Sequence, residues 1–512
     1  MIPPSTFADA VAAGAHRNAV FAIAPHAEAM LSYAQLAQAV ADLDATFDAW
    51  GIERGAVVAF MLPNGLAALQ LFIATMTCGR VVLPFNLLAQ DSQLDYVIDH
   101  ARPRVVFASE EHAQRMAAAA ARAGVSTRIE ICDNDSVALQ RASVDRSASQ
   151  VAPDDAALLM YTSGTTGVPK GVLLSHANML HAGRTVVAHQ SLSPADRVLS
   201  SLPLYHINGQ CIATVSTLVS GGSIVLPRKF STSQWWSLVE QHRPTWLNLV
   251  PTIVAYLLNG PALTPAQHDA VRNVRYARSA SAPLPPDHQR EFEARFGIPV
   301  VEAMGLTECA SVAFCNPMPP APRRSGSAGQ PLGVEARVVD ANGGVVAVGE
   351  RGEIQVRGPN VMRGYHRPAP STPPALTRDG WLATGDLGYR DADGFYFITG
   401  RLKELIIKGG ENIAPREIDE ALLRHPDVLE AAAVGVPDRE YGQQILACIV
   451  RKPGAQLDES RIHAHALQEL GRYKTPKYFR FVDELPKGPS GKIQRMKLAD
   501  QFAGDATGAI AS

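Results

Sequence analysis

The sequence predicts an α/β fold: a large N-terminal domain with wound α/β sheets and a β-rich subdomain, plus a small mobile α+β C-terminal domain. Three observations carry this expectation. Short apolar runs alternate with amphipathic stretches from Ala19 to about Pro299, the texture changes to short turn-bounded segments between about Leu332 and Ile398, and the last hundred or so residues have an α+β periodicity of their own.

Taken in order, the runs AVFAIA, AVVAFML, RVVLPFN, RVVFAS and RIEIC, up to about Cys132, are separated by amphipathic stretches such as Leu31–Trp50 and Leu66–Cys78. That is the rhythm of strand and helix in a mostly parallel sheet. After a polar stretch at Asp133–Asp155 the pattern resumes with AALLMY, a glycine-rich loop and GVLLSH, so two wound sheet regions are expected. The segments VEARVVD, GVVAV, GEIQVRG and GFYFITG are bounded by Asn-Gly, Asp-Gly and Gly-Glu turn signals and read as a β-rich subdomain. Beyond Gly400-Arg401 a charged turn leads to a helix at Pro415–Arg424, strand-like LEAAAVGV and ILACIV, a helix near Glu459–Leu470 and a mobile tail from about Gly504. The expected domains are therefore 1–400 and 401–512.

Charge excludes partners and nominates none. With 47 Lys+Arg against 49 Asp+Glu, the chain has no basic footprint for nucleic acid and no polybasic arm for a membrane. The six cysteines are scattered, without a C-x-x-C pair or a histidine at zinc spacing, which fits a reducing cytoplasm. Met1-Ile2-Pro3-Pro4 lacks the pattern of an export signal, and the most apolar stretch, Ala67 to Phe85, is interrupted by Gly79-Arg80. A cytoplasmic protein without a membrane segment is expected.

The sharpest chemical signal is Tyr161-Thr162-Ser163-Gly164-Thr165-Thr166-Gly167-Val168-Pro169-Lys170-Gly171, directly after a strand-like run. Glycines let backbone N–H groups converge on a polyphosphate, hydroxyls donate to its oxygens, and lysine supplies charge. The spacing is not that of a Walker A loop, and the same residue types also build ordinary surface turns. Further along come Leu202-Pro203-Leu204-Tyr205-His206, Ser279-Ala280-Ser281-Ala282-Pro283-Leu284, Met304-Gly305-Leu306-Thr307-Glu308, Thr384-Gly385-Asp386, Gly400-Arg401-Leu402-Lys403, Gly409-Gly410-Glu411-Asn412-Ile413 and Pro489-Ser490-Gly491-Lys492.

In this order the motifs resemble those of the adenylate-forming superfamily of acyl-CoA synthetases, peptide-synthetase adenylation domains and firefly-type luciferases, from about Phe7 to Leu498. The resemblance implies an AMP-forming acid–thiol ligase using ATP, Mg²⁺ and coenzyme A. It places ATP or AMP against Thr162, Ser163, Gly164, Thr165, Thr166, Gly167, Lys170, Ser281, Ala282, Thr307, Asp386 and Arg401, and Mg²⁺ at Glu308. It makes Lys492, Thr307, Glu308 and His206 the catalytic candidates, Lys403 the hinge, and His206, Gly409 and Gly410 the walls of the CoA channel. The acyl pocket falls to Asn208, Ser279 and Ser311.

Read without the resemblance, these residues keep plainer alternatives. A Thr-Glu pair also starts helices, Gly-Asp and Gly-Gly are common turns, His206 can be a satisfied core histidine, and Lys492 lies in a lysine-rich region. As a ligase, the chain would form acyl-adenylate from a carboxylate and Mg·ATP, then let a thiol displace AMP; both steps develop charge on oxygens, which suits donors, cations and a metal ligand. The segments LPLYHINGQ, SGGSIVLPRKFSTSQWW and TECASVAFCNPMPP are most similar to the oxalyl-CoA synthetase-like branch, which implies a short, polar carboxylic acid. Two departures stand out: Ser311 where that branch commonly has histidine, and Met304 where the family usually has an aromatic residue. Pro486 through Lys492 also resembles a recognition sequence of protein acetyltransferases, making such an enzyme an expected partner at Lys492. Adenylation for a separate carrier protein and non-catalytic ATP binding stay open at this point.

Overall fold

The computed structural model describes residues 4–137, 151–162, 169–370, 372–487 and 493–508. Ser163, Gly164, Thr165, Thr166, Gly167 and Lys492 lie outside the described residues.

Two large sheets form the N-terminal part. One has six strands in the order Arg128–Ile131, Val105–Ala108, Val57–Met61, Val81–Pro84, Ala156–Thr162 and Lys170–Ser175, parallel except for the last pair. Strands Val81–Pro84 and Val105–Ala108 are buried at every position, as expected where both faces of a parallel sheet are covered. The nine-stranded sheet runs Gln330–Pro331, Phe314–Cys315, Val300–Met304, Tyr276–Ser279, Trp246–Leu249, Arg197–Ser200, Ser223–Val225, Val20–Ala24 and Ala29–Ser32. Its interior is parallel and its ends are antiparallel.

One face of each sheet packs into a shared core, where Phe60, Val82 and Phe107 of one join Trp246, Tyr276 and Val301 of the other around the helices Leu66–Thr77 and His176–Gln190. Helix Leu66–Thr77 is buried nearly all round because it is sandwiched there. Helices Tyr33–Ala49 and His176–Gln190 begin with capping boxes at Ser32 and Ser175, which satisfy free N–H groups and fix where each helix starts. The outer face of the nine-stranded sheet is covered by helices Thr232–His242, Pro251–Leu258 and Pro286–Phe296.

The β-rich subdomain is a four-stranded antiparallel sheet of Glu335–Val339, Gly352–Arg357, Leu382–Arg390 and Tyr396–Arg401. The C-terminal part is a separate five-stranded sheet carrying helices Pro415–Leu423, Glu459–Lys474 and Arg495–Gly508. The fold is thus α/β with a large N-terminal domain and a smaller α+β C-terminal domain. All six cysteines are buried and free.

Several local expectations are corrected. Val20–Ala24 does not join the sheet of the runs that follow AVFAIA: it lies in the nine-stranded sheet between Ala29–Ser32 and Ser223–Val225, while Ala156–Thr162 and Lys170–Ser175 complete the six-stranded sheet instead of opening a second one. The run GVVAV contributes only a bridge from Val345 to Val339, since its Gly-rich turn leaves no register for a full strand. The expected tail from Gly504 is helical through Gly508, where Leu498 is buried against the strand Val428–Asp438.

Candidate active site

Parallel strands of an α/β sheet present their C-terminal ends to a common crevice, where loops rather than the sheet choose the chemistry. Four neighbouring strands of the nine-stranded sheet end there. Arg197–Ser200 leads to His206 and the π-helical turn Asn208–Val215, Trp246–Leu249 leads to the helix Pro251–Leu258, Tyr276–Ser279 to Ser281, and Val300–Met304 to Thr307 and Glu308. A cavity of about 290 Å³ opens beside these loops. Ser281, Ala282, Met304, Gly305, Asp386 and Arg401 line one side, and Arg416, Glu420, Lys487, Ile493 and Arg495 of the C-terminal part line the other.

The backbone here is held in conformations that fix side-chain aim. Ser281 has φ 75° and Ser311 φ 66°, both left-handed and rare for residues with a Cβ. Gly305 passes so close to Ser311 that a Cβ would lie 2.1 Å from its carbonyl oxygen, so only glycine fits. Asp386, 3% exposed, accepts from Arg401 Nε at 2.7 Å and Nη2 at 3.4 Å. That carboxylate raises the guanidinium's pKa above its ordinary value, so Arg401 is a fixed cation at the cavity wall.

Thr307 is buried in a 3₁₀ turn, and Glu308 beside it accepts a hydrogen bond from the Tyr365 hydroxyl at 3.1 Å. Lys170 Nζ lies 4.9 Å from the centre of the same Tyr365 ring. Lys170 is paired with Thr162 across the hairpin that carries the glycine-rich loop, so both ends of that loop stand near Glu308. Among the described residues no cluster of three or more His, Cys, Asp or Glu side chains could hold a metal. A single carboxylate fits Mg²⁺ that arrives with nucleotide phosphates and keeps most of its other ligands from them and from water. Glu308 would hold it, and its charge would offset that of the phosphates.

Asn208 joins the remaining candidates. Its side-chain amide donates to Ser281 Oγ at 3.2 Å, its backbone N–H to His206 Nδ1 at 3.3 Å, and its amide oxygen accepts from Asn248 at 3.1 Å. Ser279 is fully buried with an unpartnered hydroxyl, in register with Leu249 and Glu302 and hence on the sheet face opposite Asn248. Gly409 and Gly410 form an exposed hairpin turn at φ 57° and 86°, with Tyr441 and Tyr473 against Gly409; neither glycine lines the cavity. Lys403 is exposed in the turn after Arg401.

Sequence reading missed Glu302 and Arg416. Glu302 lines the cavity from inside a strand, and burial pushes its carboxyl up to about 7. The signal was a lone charge inside the apolar run VVEAM. Arg416 lies on a helix whose charged face looked like an ordinary solvated one, and it donates instead to the Ile398 carbonyl across the two parts of the chain.

Residues 7–366 match the model of the AMP-binding enzyme family, and residues 417–492 match the AMP-binding enzyme C-terminal domain. The chain belongs to this family. It is 51% identical to a sulfoacetate–CoA ligase of Cupriavidus necator over 93% of this chain and 94% of that protein. An oxalate–CoA ligase of Arabidopsis thaliana is 34% identical over 88% of this chain and 89% of its own length. The crystal structure of ATP-bound MatB from Rhodopseudomonas palustris superposes with a TM-score of 0.87 at 33% identity, covering 98% of this chain and 99% of that one. The protein is an ATP-dependent, AMP-forming acid–CoA ligase that works through an acyl-adenylate, with Mg²⁺ and coenzyme A. Carrier loading and non-catalytic ATP binding, open on sequence alone, are not favoured by these relatives. No helix among the described residues is long and apolar enough to cross a membrane.

Proposed function

We propose that this family member activates a short carboxylic acid of about two to five carbons that carries a second polar or anionic group. The observation that supports the reading is the hydrogen-bonded line from Ser281 in the cavity wall through the buried Asn208 to Asn248, which puts polar side chains behind that wall where a site for a long alkyl chain would need apolar ones. The sulfoacetate and oxalate ligases among its relatives support it.

In this reading Thr162, Lys170 and the loop between them hold the phosphates, Thr307 and Glu308 hold the α-phosphate and Mg²⁺, and Asp386 with Arg401 fixes the ribose. Lys492 delivers charge to the carboxylate and α-phosphate during adenylation. Ile493 and Lys487, which flank its loop, both line the cavity and support that delivery. The segments 1–400 and 401–512 act as separate domains, pivoting near Lys403 so that the Gly409-Gly410 turn replaces the lysine loop beside His206 for thiol attack. The enzyme works in the cytoplasm, and an acetyltransferase that neutralises Lys492 would silence its first step.

The test is acid-dependent pyrophosphate release over a panel from acetate, oxalate, malonate and sulfoacetate to decanoate, with and without CoA. The short polar acids are expected to lead in kcat/KM; a preference for decanoate overturns the reading.

A further inference from the structure

Arg278 lies in the strand Tyr276–Ser279, only 1% exposed, and among the described residues it forms no ion pair. Its Nε and Nη1 have no hydrogen-bond partner. The titratable groups facing it are neutral near pH 7: burial pushes the Cys315 thiol up to about 11, the Tyr276 hydroxyl well above its ordinary range, and the His189 imidazole down. Burial pulls the Arg278 guanidinium's own pKa down from its ordinary value and its contact with the Cys315 thiol offsets only part of that, yet a guanidinium keeps its charge in proteins, and a buried one with no carboxylate beside it costs several kcal/mol in a folded chain. An anionic group brought beside the guanidinium would offset that cost.

Register locates where that anion would sit. Arg278 is paired with Asn248, so both side chains stand on the same face of the sheet, toward the π-helical turn Asn208–Val215. Asn248 holds Asn208, and Asn208 holds Ser281 at the cavity edge. Arg278 therefore stands beside Asn248, at the inner end of the polar line that begins at Ser281, and on the sheet face that carries Asn248.

We propose that Arg278 is the specificity-determining residue of the acyl site, pairing with the second anionic group, carboxylate or sulfonate, of a short acid whose other carboxylate is adenylated. This rests on the ligase reading above and names the substrate class within it. Neutral acids of equal length would leave the buried guanidinium unpaired.

The experiment compares the full-length protein with R278Q and R278K. Thermal shift with AMP and sulfoacetate, malonate or propionate measures binding without turnover, and pyrophosphate release measures kcat/KM for the same acids. The two dianions are expected to raise the melting temperature of the parent protein and not of R278Q, which should lose about a hundredfold in kcat/KM for them. The ratio of dianion to propionate kcat/KM should therefore fall in R278Q, and R278K should recover part of it. A dianion shift retained in R278Q, or absent from the parent protein, overturns the assignment. So does an equal loss for propionate and dianions in a variant that melts normally. Sulfonate and carboxylate arms show which anion fits better. Absence of acid-dependent pyrophosphate release from the parent protein would instead defeat the ligase reading, while the binding arm still decides the role of Arg278.

Discussion

Replacing Lys492 by alanine is expected to suppress carboxylate-dependent pyrophosphate release by several hundredfold, about 3–4 kcal/mol of lost charge stabilisation, while sparing ester formation from supplied acyl-adenylate. Separate assays of the two half-reactions check this, and equal loss in both would remove the lysine from its assigned step. Ser311 offers a second residue-level test. Its left-handed φ of 66° aims it from the turn that wraps Gly305, and histidine tolerates that backbone better than most residues. Ser311→His should raise the kcat/KM ratio of dianionic over neutral short acids, read from the same panel, by about tenfold. Residues at this scale were legible as positions where a motif singles them out: Asp386 and Arg401, paired on adjacent strands, and Ser281, on the loop after its strand, all line the cavity. Arg278 and Glu302 were not, because a charge inside an apolar strand says only that something must neutralise it, and the partner comes from another strand or from a ligand.

Among elements, the hairpin that turns at Gly409 and Gly410 gives the clearest experiment. A Cβ on Gly409 would stand 3.2 Å from Tyr441 and 3.3 Å from the Tyr473 hydroxyl at a φ that L residues rarely adopt. Gly409→Leu should therefore displace the tyrosines and block the thiol step, lowering CoA ester formation at least about tenfold while adenylation stays near normal. Product analysis with and without CoA reads the difference, and normal ester formation would take this turn out of the thiol path. Element existence was readable from periodicity, as the helices Pro415–Leu423 and Glu459–Lys474 show. Element membership was not: nothing local in VFAIA says that its partner is SIV two hundred or so residues away. The same limit hid the terminal helix, whose buried Leu498 gains its reason only from the C-terminal sheet it covers.

For the whole molecule, the buried Glu302 ties stability to pH. Its carboxyl is raised from 4.5 to about 7, chiefly by burial, so between those values the folded chain keeps a proton that the unfolded chain has lost. Its contribution is fully present below about pH 4.5 and falls away as pH rises toward 7, by on the order of 3 kcal/mol. His176, pushed down to about 4 by burial, works in the opposite sense, so the parent profile alone blends the two. Glu302→Gln should lift the melting temperature more at about pH 7.5 than at about pH 5, and an identical shift at both would show that Glu302 does not titrate in this window. The pairing of Val20–Ala24 with Ser223–Val225 carries a last consequence, for the chain as it is being made. A ribosome adding about 5–20 residues per second needs roughly ten to forty seconds to deliver the partner after the first strand has emerged. Through that interval Val20–Ala24 can pair with Ala29–Ser32 on one side, but its other side waits with open backbone groups and apolar side chains. Evolution of the N-terminal stretch is thus constrained by what it must avoid sticking to while it waits, as well as by the sheet edge it finally closes.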